Sequence, residues 1–184
     1  MKHDIDVREL VLSELNKKYS NRHDTKVINE MGIAHGSSRI DIAVINGVLH
    51  GYELKSESDS LKRLSRQASY YEKIFERMTL VIDKKFLDKA KLIIPSWWGI
   101  SVINDDYSKT ISVRKGRKIK TKDYPMLLNL LWREELVELL DFLGYPKRYK
   151  KLRKDEIYEI VLKDKRKSTV KKYIYSALKN RDYS

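Results

Sequence analysis

The segment Arg39–Lys55 reads RIDIAVINGVLHGYELK, and its pattern decides the fold. Two runs rich in β-branched residues flank Asn46-Gly47, a dipeptide typical of tight turns between antiparallel strands. We therefore predict that the two runs pair as a β-hairpin. Each run carries one isolated acidic residue among apolar neighbours, Asp41 in the first and Glu53 in the second.

The length of the hairpin loop decides whether Asp41 and Glu53 can meet, because side chains on a strand alternate between two faces. A two-residue loop would pair Asp41 with Tyr52 and send the two carboxylates to opposite faces. A three-residue loop with Gly47 in the left-handed conformation pairs Asp41 with Gly51 instead. We predict this second register, which gathers the charged side chains on one face: Arg39, Asp41, Glu53 and Lys55.

The predicted register favours a metal site. It makes Asp41 and Glu53 diagonal neighbours about 7 Å apart, with Gly51 leaving open space between them. Two carboxylates so placed can share one Mg²⁺ or Mn²⁺, because Mg²⁺ keeps several waters and takes only one or two protein carboxylates. Such a metal polarises a phosphate and lowers the pKa of a bound water, and Lys55 would stabilise the negative charge of the transition state. This chemistry is phosphodiester hydrolysis.

Two motifs resemble those of a known superfamily. Asp41, followed on the next strand by Glu53-Leu54-Lys55, resembles the PD-(D/E)XK nuclease signature, with Ile40 where the usual proline stands. Gln67 and Tyr71, four residues apart on one face of the next helix, resemble the Gln-x-x-x-Tyr element of the RecB-type branch. The stretch from Arg39 to Gln67 also resembles a small bacterial subfamily, as does Pro95-Ser-Trp-Trp-Gly.

The resemblance covers roughly residues 5–105 and implies a restriction-endonuclease-like α/β fold, in which helices flank a mixed sheet. It implies that Asp41 and Glu53 bind the metal, that Lys55 is catalytic, and that the Gln67–Tyr71 pair assists near the site or the DNA backbone.

Many members of this superfamily supply a further glutamate from the first helix, which we predict at Val7–Lys18 with Asp6 as its cap. Glu14 interrupts the apolar stripe of this helix, where a carboxylate is costly unless something pairs with it. Glu14 is therefore our candidate for the catalytic set, and Glu30 is the alternative.

The rest of the chain alternates helices and strands, a pattern typical of α/β or α+β folds. We predict strands at 26–31, 78–82 and 99–103, helices at about 60–77 (capped by Asp59 or Ser60) and 85–92, and an edge hairpin at 111–119. From Asp123 onward the pattern is wholly helical: one Leu-rich helix to Leu143, then helices at 155–163 and 168–180 that resemble a helix-turn-helix. We divide the chain into a nuclease-like core, residues 1–122, and a basic helical extension, residues 123–184.

The formal net charge of +13 predicts an anionic partner, and nucleic acid is the commonest one. Residues 144–184 alone contain 14 basic and 5 acidic side chains. We expect the extension to hold DNA through phosphate contacts that carry no sequence specificity. The predicted nucleic-acid-binding residues are Arg39 and Arg63 in the core and Lys147, Arg148, Lys150, Lys151, Arg153, Lys165, Arg166 and Lys167 in the extension.

The composition also excludes several classes of protein. The chain has no cysteine, so disulfides and thiolate metal sites are excluded, and its four histidines lack the spacing of a zinc site. No apolar stretch is long enough to span a bilayer, and the charged N-terminus lacks the apolar region of a signal peptide. We expect a cytoplasmic protein of bacterial or phage origin.

The leading hypothesis is a Mg²⁺- or Mn²⁺-dependent nuclease that acts on DNA. One alternative is a non-catalytic nucleic-acid-binding protein on the same fold, in which Asp41, Glu53 and Lys55 form only an ion-pair ladder. Another is a protein-interaction module that uses the Leu-rich helix. The sequence leaves open the form of the substrate, endo or exo action, and whether the chain acts as a homodimer.

Overall fold

Six strands lie in one mixed sheet in the order in which they occur along the chain. The structure is a computed structural model that describes residues 4–33, 38–120 and 123–183. The strands are β1 (Lys26–Ile33), β2 (Ser38–Ile45), β3 (Leu49–Lys55), β4 (Arg77–Ile82), β5 (Gly99–Ile103) and β6 (Thr110–Arg114). Helices flank the sheet, which confirms the predicted α/β class. No described helix combines the length and the apolar character needed to cross a membrane.

The parallel pairs in the sheet are β3 with β4 and β4 with β5, while β1–β2, β2–β3 and β5–β6 are antiparallel. A helix connects each parallel pair, as parallel strands require. The helices are α1 (Asp4–Tyr19), α2 (Leu64–Ile74), α3 (Leu87–Ile93), α4 (Tyr124–Leu128), α5 (Arg133–Phe142), α6 (Lys154–Lys163) and α7 (Lys167–Asn180), with short 3-10 turns at Lys84–Phe86 and Lys147–Lys151.

The hairpin between β2 and β3 has the predicted three-residue loop, in a shifted position. Ile45 pairs with Leu49, and Gly47 has the left-handed φ of +64° that the loop requires. Gly51 therefore pairs with Ala43, and the predicted partnership of Gly51 with Asp41 is wrong. Continued by one residue, this register places Asp41 opposite Glu53 instead of diagonal to it. A shift of two residues keeps the alternation of faces, so both carboxylates still reach the same side.

Each face of the sheet carries its own apolar cluster. On one face, Val7, Val11 and Leu15 of α1 pack against β2, β3, β4 and β5 through the side chains of Ile42, Val44, Tyr52, Leu54, Val81 and Ile103. The other face packs against α2, whose buried side chains are Leu64, Ala68, Tyr71 and Ile74. This second cluster is larger and includes the buried Trp97 and Trp98.

The C-terminal helices pack into the same large cluster as the sheet, through buried residues such as Leu128, Leu139 and Ile174. A buried carboxylate at the start of β4 also ties α7 to the sheet: Tyr175 Oη donates to Glu76 Oε2 at 2.7 Å. The division of the chain at residue 123 stays a prediction.

Three helix boundaries differ from the sequence predictions. Asp6 lies inside α1 and is not its cap. Helix α2 begins at Leu64, because the Asp59 carboxylate accepts a hydrogen bond from Ser56 N at 2.7 Å and closes a turn before the helix. The Leu-rich helix is broken into α4 and α5. Trp132 N donates to Glu135 at 2.6 Å and starts α5 anew.

The predicted edge hairpin at residues 111–119 is also wrong. Its first part forms β6, which pairs with β5, but the segment after Arg114 crosses the starts of β4 and β5. Gly116 lies so close to Gly99 that a Cβ built on Gly116 would be 2.9 Å from Gly99 N. The absence of a side chain permits this crossing, which the sequence pattern did not reveal.

Gly51 leaves room for apolar side chains and does not open space between the carboxylates. A Cβ at Gly51 would lie 2.5 Å from Met78 Sδ and 3.1 Å from Phe75 Cδ1. We expect Gly51→Ala to lower the free energy of unfolding by about 1–3 kcal/mol through overpacking, measured by urea denaturation. The control is Gly32→Ala, where a Cβ meets no atom within 4 Å. Equal stability of the two variants would contradict the overpacking.

Candidate active site

A polar cavity of about 350 Å³ opens where β2, β3 and the start of α2 meet. Its lining residues are Ser38, Arg39, Asp41, Glu53, Leu54, Lys55, Asp59, Arg63, Arg66, Gln67 and Tyr70. The alternation of side chains along β3 directs Glu53 and Lys55 toward α2, while the four-residue spacing on α2 directs Gln67 and Tyr71 toward β3. The cavity therefore joins the two motifs that are separate in the sequence.

The Glu53 carboxylate is the centre of this arrangement, and its side chain is only 1% exposed. Lys55 Nζ lies 2.6 Å from Glu53 Oε1, and Gln67 Nε2 donates to the same oxygen at 2.6 Å. Tyr71 Oη lies 2.7 Å from the other oxygen, Oε2. Three of the predicted catalytic side chains thus meet around the buried carboxylate of a fourth.

Asp41, the fifth, lines the same cavity from β2. Its Oδ2 accepts a hydrogen bond from Leu54 N at 2.8 Å, which holds the carboxylate beside Glu53. Its Oδ1 accepts from the Arg8 guanidinium of α1 at 2.9 Å. Arg8 was not among the predicted site residues, because nothing in its local sequence pattern connects the first helix with β2.

Burial raises the pKa of Glu53, and repulsion from the Asp41 carboxylate raises it further, against the opposing effect of Lys55 and of the Tyr71 hydrogen bond. Burial and the neighbouring Glu53 also raise the pKa of Tyr71. Two carboxylates that repel each other in one cavity are an arrangement that a divalent cation would stabilise.

The residues present fit a hard cation. Asp41 and Glu53 offer oxygen ligands, and a carboxylate oxygen accepts more hydrogen bonds than the one that Glu53 Oε2 receives from Tyr71. Gln67 Oε1 is buried, and no described residue donates to it. Within the described ranges, which leave out His3 and His35, no group of three or more His, Asp or Glu side chains could hold a metal. The protein ligands would therefore be these two carboxylates, a number that suits Mg²⁺.

The structure does not bring Glu14 to this cavity. Both of its carboxylate oxygens accept hydrogen bonds from Thr110, one from the backbone N and one from Oγ1, each at 2.7 Å. The carboxylate that interrupts the apolar stripe of α1 is thus satisfied by the start of β6. The alternative, Glu30, pairs with Arg39 at 2.9 Å and does not line the cavity either.

Basic side chains surround the mouth of the cavity. Of the predicted nucleic-acid-binding residues of the core, both Arg39 and Arg63 line it. Arg66 lines it as well, although it was not among the predicted residues. Its spacing of three from Arg63, which brings both to one side of the chain entering α2, could have indicated it.

Five of the eight predicted basic residues of the extension contact other groups of the chain. Arg166 binds the buried Asp164 at 2.7 Å and the carbonyl of Leu143 at 2.8 Å, which ties together the turn between α6 and α7. The others are Lys150 with Asp141, Arg153 with Asp155, Lys167 over the ring of Tyr124, and Arg148 over the ring of Tyr149. Lys147, Arg148, Lys151 and Lys165 are exposed.

Comparison with known proteins shows a phage family. Residues 2–183 match the family described as bacteriophage P4 protein cII. Protein cII of Enterobacteria phage P4 is 30% identical over 160 residues, which are 86% of this chain and 60% of that protein. A solved structure, a protein of unknown function from Silicibacter pomeroyi, is similar at a TM-score of 0.42 and 14% identity over 74% of this chain and 90% of that one. This chain, which spans about 60% of the length of its phage P4 relative, belongs to the bacteriophage P4 protein cII family.

Proposed function

We propose that this chain is a Mg²⁺- or Mn²⁺-dependent nuclease that hydrolyses phosphodiester bonds of DNA, on a restriction-endonuclease-like fold of the PD-(D/E)XK superfamily. The observation that carries the proposal is the convergence of Lys55, Gln67 and Tyr71 on the carboxylate of Glu53, with Asp41 in the same cavity.

The burial of this cluster supports a functional role over an ion-pair ladder. The side chains of Glu53 and Lys55 are 1% and 6% exposed. A buried ion pair is often no more stabilising than apolar residues of the same volume, because the desolvation of both charges is costly. Groups with a pKa raised by burial and by a neighbouring charge, in a polar cleft, are typical of functional sites.

The metal, when bound, would polarise a phosphate and lower the pKa of a water molecule. Asp41 and Glu53 would hold it. Lys55, oriented by its bond to Glu53, would hold an ammonium group near the phosphate and stabilise its additional negative charge. Gln67 and Tyr71 keep the Glu53 carboxylate in place by hydrogen bonds. The arginines at the mouth, Arg39, Arg63 and Arg66, attract the phosphodiester backbone.

The test is incubation of the purified protein with single-stranded, duplex and branched DNA and with RNA, with and without Mg²⁺ or Mn²⁺. We expect cutting of DNA that a chelator abolishes and that added metal restores. We also expect Mn²⁺ to raise the melting temperature, because a ligand that binds only the folded state stabilises it. Cutting that persists in the chelator would contradict the metal mechanism, and a failure to cut any substrate would contradict the nuclease.

One observation favours the alternative of a non-catalytic nucleic-acid-binding protein. The guanidinium of Arg8 lies 2.9 Å from the Asp41 carboxylate and compensates its charge. The Asp41 carboxylate therefore does not need a metal ion to balance its charge. On that reading, DNA binds with a salt-dependent affinity, Mn²⁺ leaves the melting temperature unchanged, and no substrate is cut.

A further inference from the structure

A second basic surface lies on the α1 side of the sheet. Two adjoining cavities there share Lys18, His50 and Arg77 and so form one trough. Its basic side chains are Lys18, Arg22, Arg77, Arg114, Lys115 and Lys118. Glu14 is the one carboxylate among the described residues that line the trough, and Thr110 occupies both of its oxygens.

The cations of this α1-side trough come from three separate parts of the chain. Lys18 and Arg22 lie in and after the last turn of α1, Arg77 is the first residue of β4, and Arg114, Lys115 and Lys118 lie at and after the end of β6. Hydrogen bonds hold that segment across the sheet, from Arg117 N to Trp97 O at 2.8 Å and from Ile119 N to Glu76 O at 2.9 Å. The basic groups are therefore held around a fixed concave surface.

In the part of the trough that the structure describes, six cations face a single carboxylate, that of Glu14. Across residues 4–33, 38–120 and 123–183, none of these six cations forms an ion pair, and Arg114 donates only to the carbonyls of Trp98 and Pro95. In the C-terminal extension, by contrast, Lys150, Arg153 and Arg166 each have a carboxylate partner. An anionic ligand would find more unpaired charge here than at these extension residues.

The floor of the trough offers neutral hydrogen-bonding groups. His50 Nε2 lies 2.9 Å from Thr79 Oγ1, and the hydroxyls of Ser101 and Ser112 also line the surface. Burial, with Lys18 and Arg77 nearby, lowers the pKa of His50 to about 3. The imidazole is therefore neutral near pH 7, and hydroxyl groups surrounded by cations are well suited to phosphate oxygens.

We propose that the α1-side trough binds the phosphodiester backbone of a nucleic acid. The row of cations across two adjoining cavities fits a chain of phosphates better than a single small anion. The trough is separate from the cavity at Glu53: His50 and Glu53 are three residues apart on β3, about 10 Å along the strand, and alternate to opposite faces. This binding requires no cutting by the other site.

The experiment measures the binding of fluorescently labelled single-stranded and duplex DNA by anisotropy in a chelator, where no cutting occurs. The variant is Lys18→Glu with Arg77→Glu. Its control is Lys84→Glu with Lys89→Glu, two exposed lysines with the same change of charge. We expect the trough variant to bind at least about tenfold more weakly and its salt-dependence slope to fall by about 1.4–1.8, as for the loss of two phosphate contacts. The control should change affinity far less.

Equal weakening of both double variants would overturn the proposal, because it would show a general effect of net charge. Unchanged affinity of a folded trough variant would overturn it too. If that variant does not fold, the wild-type protein is titrated with the oligonucleotide and the NMR resonances of the His50 ring are followed. Binding in the trough should shift these resonances. A shift with inorganic phosphate but none with the oligonucleotide would identify a small-anion site instead. Because binding is measured without metal, these outcomes are independent of whether the Glu53 cavity cuts DNA.

Discussion

Asp41→Asn is expected to lower the rate of the proposed DNA cutting by at least about a hundredfold, because it would remove one of the two carboxylates proposed to hold a metal whose charge stabilisation is worth several kcal/mol. The fold should persist. An asparagine oxygen can still accept the bond from Leu54 N, and Arg8 keeps its bonds to the Asp41 carbonyl at 3.1 Å and to Asn29 Oδ1 at 3.0 Å.

The same variant has a readout that does not depend on cutting. The Asp41 charge contributes to the raised pKa of Glu53, so removing it should lower that pKa, measured by carbon NMR of the metal-free protein. The affinity for Mn²⁺ should fall in parallel. Asp88→Asn, at a carboxylate that is 94% exposed, is the matched control and should cut normally. Full cutting by Asp41→Asn would remove Asp41 from the mechanism.

Lys55→Met is expected to lower the free energy of unfolding by about 3–5 kcal/mol near neutral pH, because breaking a buried ion pair leaves an uncompensated charge. The ammonium group lies 2.6 Å from Glu53 Oε1, and Glu53 is 1% exposed, so water cannot replace it. Methionine has nearly the same length and keeps the packing. Urea denaturation measures the loss, and Lys62→Met, at an exposed lysine, should change stability little.

The loss in Lys55→Met should depend on pH. Lys55 lowers the pKa of Glu53, which burial and Asp41 already raise above its ordinary value, so the variant raises it further. A carboxyl whose folded-state pKa exceeds the unfolded value contributes stability below the unfolded pKa and loses that contribution as pH rises through the folded-state pKa. The deficit should therefore shrink as pH falls through the raised pKa. If the variant lost the same free energy of unfolding at every pH, packing alone would account for the loss.

The confirmed predictions depend on rules that relate residues close together in the sequence. Alternation along a strand placed Glu53 and Lys55 on one face, and four-residue spacing along a helix placed Gln67 and Tyr71 on one side. That the two pairs lie near each other was implied only by the resemblance to the PD-(D/E)XK superfamily. The left-handed Gly47 and the three-residue loop followed from turn chemistry. The exact register did not follow, because neighbouring registers of equal parity bury the same apolar residues. The observed register places Gly51 opposite Ala43 and against Met78, and not beside Asp41.

The sequence by itself determined the α/β class, the alternation of faces in the central hairpin, and the pairing on one face of Glu53 with Lys55 and of Gln67 with Tyr71, because these are set by neighbours a few positions apart. Only the tertiary structure decided the contacts between distant segments. It paired Arg8 with Asp41 and satisfied Glu14 with Thr110, a residue 96 positions away. It also joined the end of α1, the start of β4 and the segment after β6 into one basic trough. Contacts of this kind arise from the packing of elements on a sheet, which no local pattern encodes.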